Sequence, residues 1–174
     1  GFFSSSTTEH SGVALFFRQH ITFVHSETRH DKKGRWLFVK GFMGGQCLTF
    51  VVVYAHNTGQ DDFLRTTLHT LSNFAEGDLV VLDDCNMVWD PDMDRAGRAS
   101  SAARAFSKDL KLSLRELGLR DVWRERYPQR RGYTFSSHVH GSQSCIDYIL
   151  LSSALIPLVT DVDIGPMVLS DHAP

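Results

Sequence analysis

The sequence predicts an α/β fold in which β-sheets pack face to face with helices on the outside. Short apolar, β-branched runs recur along the chain, and only two stretches change to the 3.6-residue period of a helix. Strands and helices also fail to alternate strictly, as a succession of parallel βαβ units would require.

In chain order, Val13 to Phe17 is a short apolar run, and Ile21 to Val24 and Trp36 to Val39 are β-rich. The turn-like Asp31-Lys32-Lys33-Gly34 separates the last two. Gly44-Gly45 predicts a tight hairpin before a strand over Leu48 to Ala55. That strand is nearly continuous in apolar and β-branched residues, so it is expected to be central and buried on both faces. From Phe63 to Ala75 the period changes. Leu64, Leu68, Leu71 and Ala75 share one helical face, and Gly77 suits the C-terminal cap. Leu79 to Leu82 reads as another buried strand, ending abruptly in Asp83-Asp84-Cys85-Asn86. Ala103, Phe106, Leu110, Leu114 and Leu117 define a second amphipathic helix closed by Gly118. Tyr133 to Phe135, Ile146 to Leu151 and Val159 to Ile164 are three more expected strands.

A chain of 174 residues, 42% hydrophobic and 22% charged, fits one domain over residues 1–174 with a core that needs no disulfides. The net charge of −2 carries no global basic signature, so any nucleic-acid footprint must be local. Arg120, Arg124, Arg126, Arg130 and Arg131 form one candidate stripe, which reads equally as a solvated face. Cys47, Cys85 and Cys145 have no zinc or disulfide spacing and are expected as free thiols of a reducing compartment. The opening Gly-Phe-Phe leads into Ser and Thr, unlike a signal peptide or a membrane span.

Four clusters carry candidate chemistry. Asp84 and Asn86 stand at i and i+2 where an apolar strand stops, so they point the same way in extended backbone. They suit a shared metal, water or phosphate, or else an Asx turn that ends the strand. Asp171 beside His172 suits metal binding or proton transfer, or is an ordinary surface pair. Asp147 opens an apolar strand and needs a partner. An imidazole would make it an orienting carboxylate, and an arginine would make it a structural ion pair. Tyr54 and Asn57 flank the exit of the longest strand and can hydrogen-bond phosphate oxygens, although Tyr54 also fits as a core aromatic.

Taken in order, these features resemble the endonuclease/exonuclease/phosphatase superfamily, the DNase I-like fold, and within it the LINE-type (non-LTR) retrotransposon endonucleases. Leu82-Asp83-Asp84-Cys85-Asn86 is similar to the family's G-D-F-N motif, with Asp83 for Gly and Cys85 for Phe. Asp94-Arg95 resembles an L-D-R element with Met93 for Leu. Leu119 to Arg124 and Tyr133-Thr134-Phe135 look like L-x-D-x-W-R and Y-T-F. Ser144 to Tyr148 is similar to S-R-I-D-Y with Cys145 for the basic residue, and Val53 to Asn57 resembles V-Y-A-P-N with His56 for Pro. Ser170-Asp171-His172-Ala173-Pro174 matches S-D-H-x-P, and Ser11 to Leu15 resembles the R-G-V-A strand with Ser11 for Arg.

The resemblance implies a four-layer α/β/β/α domain that nicks DNA and leaves a 3′-hydroxyl. It implies Mg²⁺ (or Mn²⁺) as cofactor and catalytic roles for Asp84, Asn86, Asp147 and His172. Asp171 would support the metal, and Tyr54, Asn57, Arg95, Thr134 and Ser144 would contact DNA. It further implies a nuclear, monomeric domain, cytoplasmic before import, with a reverse transcriptase in the same polyprotein of an intact element. The family's main metal-binding Glu and an Asn lie on strands before the R-G-V-A segment. Glu9 sits in a Ser/Thr-rich turn and is not assigned that role. The expectation is therefore a domain incomplete at its N-terminus and in its last C-terminal strand, and inactive as it stands. Two alternatives share the motifs: a phosphoinositide or sphingomyelin phosphatase on the same fold, and a catalytically dead DNA-binding remnant.

Overall fold

The computed structural model of the chain describes residues 1–7, 11–97, 103–168 and 170–174. Two short strands, β1 (Phe2–Ser5) and β2 (Gly12–Leu15), form an antiparallel pair. Then come β3 (Val24–His30), β4 (Trp36–Met43) and β5 (Gln46–Tyr54). Gly44 and Gly45 both take positive φ, 58° and 81°, between β4 and β5, as a two-residue hairpin turn demands. Helix α1 (Gln60–Ser72) crosses from β5 to β6 (Asp78–Asp84), which pairs parallel to β5. Short strands β7 (Met87–Val88), β8 (Arg95–Gly97) and β9 (Arg104–Ala105) lead into helix α2 (Lys108–Glu116). After β10 (Leu119–Asp121) and helix α3 (Val122–Arg126) follow β11 (Phe135–Ser137), β12 (Ser142–Ser144) and β13 (Asp147–Ser152).

The main sheet is mixed and six-stranded, in the order β10-β13-β6-β5-β4-β3. One face packs on the helices. Val51, Val53, Val81 and Leu150 of the sheet meet Leu64 and Leu71 of α1 and Leu110 and Leu114 of α2. The opposite face of β4 and β5 is covered by the β1–β2 pair, where Leu15 packs with Leu37 and Val39 beside Phe2, Phe17, Phe23 and Phe50. The chain is thus α/β, with sheet on sheet and helices outside, as the patterning predicts. Leu37, Phe38 and Val39 have no exposed surface because β4 is sandwiched from both sides.

Several expected elements differ. β3 begins where the expected Ile21–Val24 strand ends, and runs through the polar residues His25 to His30. It is a sheet edge with a register shift between His25 and Glu27, and charge and irregularity are what an exposed edge selects. The second helix starts at Lys108, not Ala103, because Ser107 caps it through Leu110 N–H. Val159 to Ile164 is not a strand; it follows a 3₁₀ turn at Ile156–Leu158 and pairs with no neighbour among the described residues. The described extent of the second expected layer is the β1–β2 pair and small sheets β11-β12-β8 and β7-β9. Glu9 and Leu169 lie outside the described residues. The three cysteines are free thiols, with Cys85 and Cys145 buried.

Candidate active site

Three central strands deliver polar residues to one level at one end of the sheet. Asp84 ends β6 and is in register with Tyr54 of parallel β5 and with Asp147 of antiparallel β13. Register partners project on the same face. The carboxylates of Asp84 and Asp147 therefore come together, and His172 joins them from the C-terminal segment. Donor atoms of Asp84, Asp147 and His172 all lie within 4.8 Å of one another. His172 Nδ1 is 3.1 and 3.0 Å from the two Asp147 carboxylate oxygens. An Nδ1–H tautomer donates to this carboxylate and leaves Nε2 facing outward. Asp147 thus pairs with an imidazole rather than with an arginine.

The Asp84–Asn86 corner is fixed by its own backbone. Asn86 adopts a left-handed φ of 49°, and its N–H donates to Asp84 Oδ1 at 3.1 Å. Its side-chain amide donates to the Ala55 carbonyl at 2.7 Å, tying the ends of β5 and β6. Cys85 N–H donates to the Ile146 carbonyl at 3.0 Å and ties the same corner to β13. The Asx turn and the ligand reading are therefore compatible, since the turn engages only Oδ1 of Asp84 and leaves Oδ2 for a ligand. Burial pushes the Asp84 carboxyl up to about 6, and the Asp147 charge adds to this, while the His172 charge opposes it. Two adjacent, partly desolvated carboxylates repel each other, and a divalent cation relieves that repulsion. Hard oxygen donors from Asp84 and Asp147 fit such an ion.

The sequence model of the Endonuclease/Exonuclease/phosphatase family matches residues 2–172. The chain belongs to this family. The DNA repair nuclease APEX1 of Danio rerio is 28% identical over 186 residues, covering 95% of this chain and 59% of that protein. The chain thus spans less than two thirds of that relative. Among solved structures, the endonuclease domain of TRAS1, a telomere-specific non-LTR retrotransposon, aligns over 99% of this chain and 76% of its own, with a TM-score of 0.65 at 16% identity. The AP endonuclease LMAP from Leishmania major aligns over 82% of this chain and 54% of its own, with a TM-score of 0.59 at 24% identity. These structural likenesses concern the fold.

Beside Asp84 the structure opens a groove of about 630 Å³. Tyr54, Asn57, Asn86, Ser144, Asp171 and His172 line it together with Asp84. Asp171 is exposed on the rim and outside the Asp84–Asp147–His172 group; its carbonyl accepts from Ser136 N–H at 2.9 Å. Arg95 and Thr134, two of the residues expected at the DNA, do not line this groove. Arg95 folds back onto the Ala103 carbonyl, with its Nε buried. Thr134 is buried and turns its hydroxyl to backbone N–H groups. The arginine stripe is largely structural too. Arg124 pairs with the buried Asp94 at 2.6 Å, Arg120 with Glu125, and Arg130 lies over the Trp123 and Tyr127 rings. Gln60, Arg104 and His140, which no local sequence pattern singles out, also line the groove. Gln60 is buried in the first turn of α1 and reaches the Asn86 carbonyl at 3.5 Å, an approach that only the tertiary structure creates.

Proposed function

We propose that the chain carries the phosphodiester-cleaving centre of a LINE-type retrotransposon endonuclease, nicking DNA to leave a 3′-hydroxyl. A reverse transcriptase in the same polyprotein would extend that end in the nucleus. The convergence of Asp84, Asp147 and His172 at one sheet end carries this reading. Asp84 faces the groove with one oxygen free of the Asn86 turn, and would position and deprotonate an attacking water. Asn86 holds that water or the phosphate. His172 presents Nε2 to a phosphate oxygen while Asp147 fixes its ring. Tyr54 and Asn57 line the groove where the phosphate would lie, and Ser144 lies deeper. Asp84 and Asp147 would hold Mg²⁺ or Mn²⁺, with Asp171 supporting from the rim. The bound cation supplies positive charge against the phosphate and the leaving oxygen. Because the Asp147 carboxylate also serves His172, the isolated chain is expected to bind the cation weakly and to turn over slowly. The retrotransposon assignment rests on the Trp123-Arg124 and Tyr133-Thr134-Phe135 segments.

The test is nicking of supercoiled plasmid with Mg²⁺, with Mn²⁺ and with EDTA, followed by polymerase extension of the nick. Metal-dependent, extendable nicks lost in Asp84→Ala and His172→Ala support the proposal. Metal-independent DNA binding without cleavage, at any concentration of protein and metal, would replace it with a binding remnant. Turnover of phosphoinositide or sphingomyelin in preference to plasmid would replace it with a lipid phosphatase.

A further inference from the structure

Asp147 opens β13, whereas His172 lies in a separate C-terminal segment, and no ladder joins the two. Something else must hold them at 3.0 Å. Thr134 touches both segments. Its Oγ1 accepts from Ile146 N–H at 3.0 Å and from Asp147 N–H at 3.1 Å. Its carbonyl accepts from Ala173 N–H at 2.7 Å, next to His172, and its own N–H donates to the Ser144 carbonyl at 3.0 Å. The following residues extend the same clasp. Phe135 forms a bridge with His172, and their rings lie 5.0 Å apart. Ser136 N–H donates to the Asp171 carbonyl.

We infer that Thr134 is the positioning residue that registers Asp147 against His172, its hydroxyl gripping one segment and its carbonyl the other. This rests on the reading that the pair belongs to the reacting centre. Thr134 is only 7% exposed and is absent from the groove lining; it lines a separate cavity of about 310 Å³ with Asp84 and Asp147, with its hydroxyl already engaged, so it acts through the pair. A threonine suits the place because its β-branch restricts χ1 and holds the hydroxyl on two converging N–H groups. Valine keeps that shape but removes the acceptor, leaving buried donors unpaired.

The experiment uses the ¹⁵N-labelled 174-residue chain, with Thr134→Val and Thr134→Ser. It follows the low-field ring N–H proton of His172, identified by its loss in His172→Gln, and the hydrogen exchange of the Ile146 and Asp147 amides. In Thr134→Val the ring signal should disappear, and both amides should exchange at least about 10-fold faster, while the melt stays cooperative. Thr134→Ser restores the acceptor and should keep the ring signal. Should Thr134→Val not fold, Thr134→Ser decides alone: loss of the ring signal in the folded serine variant overturns the inference, because the methyl and not the hydroxyl would then hold the pair. Retention of the signal and of amide protection in folded Thr134→Val also overturns it. None of these readouts needs cleavage, so an inactive wild-type chain would count against the proposed function alone. Where the wild type does nick, Thr134→Val should lower kcat by about 10- to 100-fold with KM little changed.

Discussion

Asp83 and Asp84 are adjacent on β6, yet the pleat turns them to opposite faces and gives them different surroundings. Asp84 faces the groove, where Asn86 N–H bonds one oxygen and the His172 charge lies near. Asp83 shares the helix-covered face of Val81 and Cys85. One of its oxygens has no partner and the other accepts from the Cys85 thiol at 2.6 Å. Burial pushes the Asp83 carboxyl up to about 7, and the Cys85 contact opposes that rise. The two departures from the family's G-D-F-N motif, Asp for Gly and Cys for Phe, therefore touch each other. Burial raises both carboxyls, but only Asp84 opens on the groove, while Asp83 lies under α1 and α2. Position relative to the sheet, not residue type, decides which acid reaches the groove.

The largest expected difference between the two acids is in cleavage. If the chain nicks DNA, Asp84→Asn should lower the rate by about 10²–10⁴, whereas Asp83→Asn should leave it within about tenfold. Plasmid nicking under matched protein and metal concentrations checks this, and equal losses would erase the contrast.

Next in size is a cost to stability away from either acid. Arg124→Ala should destabilise the fold by about 3–5 kcal/mol, because Asp94, whose side chain is only 2% exposed, would keep a buried charge without its partner. Urea melts give the number, and a loss under about 1 kcal/mol would mean that water or another cation replaces the guanidinium.

Asp83 should reveal itself through pH. Its folded carboxyl titrates at about 7, against an ordinary 3.8, so between those values the folded state binds more protons than the unfolded one. Its contribution is fully present below about pH 4 and is lost as pH rises through 7. Asp83→Asn, which mimics the neutral acid, should be more stable than the wild type at pH 8 by on the order of 1–3 kcal/mol and about equal at pH 4. Parallel stability curves for the two chains would contradict the buried, neutral Asp83. The smallest effect belongs to Asp171→Asn. On the exposed rim it should change cation affinity by no more than about 1 kcal/mol, as calorimetry would show.

What could be read from the sequence was whatever leaves a local pattern. The β5 run, the α1 face and the glycine hairpin at Gly44-Gly45 each carry their cause within a few residues. So do Asp84, Asn86, Asp147 and His172, which stand out as polar groups at or beside apolar runs. β3 was hidden because an edge strand tolerates His, Ser, Glu and Arg, and α3 because five residues held by an Asp121 cap make no period. Val159 to Ile164 misled because its alternation resembles a strand while its backbone has no ladder to join. Thr134 was recognisable as a motif residue, but the target of its hydroxyl depends on a strand that arrives twelve residues later. Arg95 is hidden for a similar reason: its guanidinium is engaged by the Ala103 carbonyl eight residues on.

On the proposed reading, Asp84 and Asp147, with His172, form one centre that a divalent cation completes. The most direct measurement is a Mn²⁺ titration of the ¹⁵N-labelled chain followed by paramagnetic line broadening, which needs no turnover. At substoichiometric Mn²⁺, the amides of Asp84, Cys85, Asn86, Asp147 and His172 should broaden first, and Asp84→Asn should abolish that selectivity. Selective broadening at another acidic segment, such as Asp90 to Asp94 or Asp161 to Asp163, with the Asp84 and Asp147 amides still sharp, would contradict it.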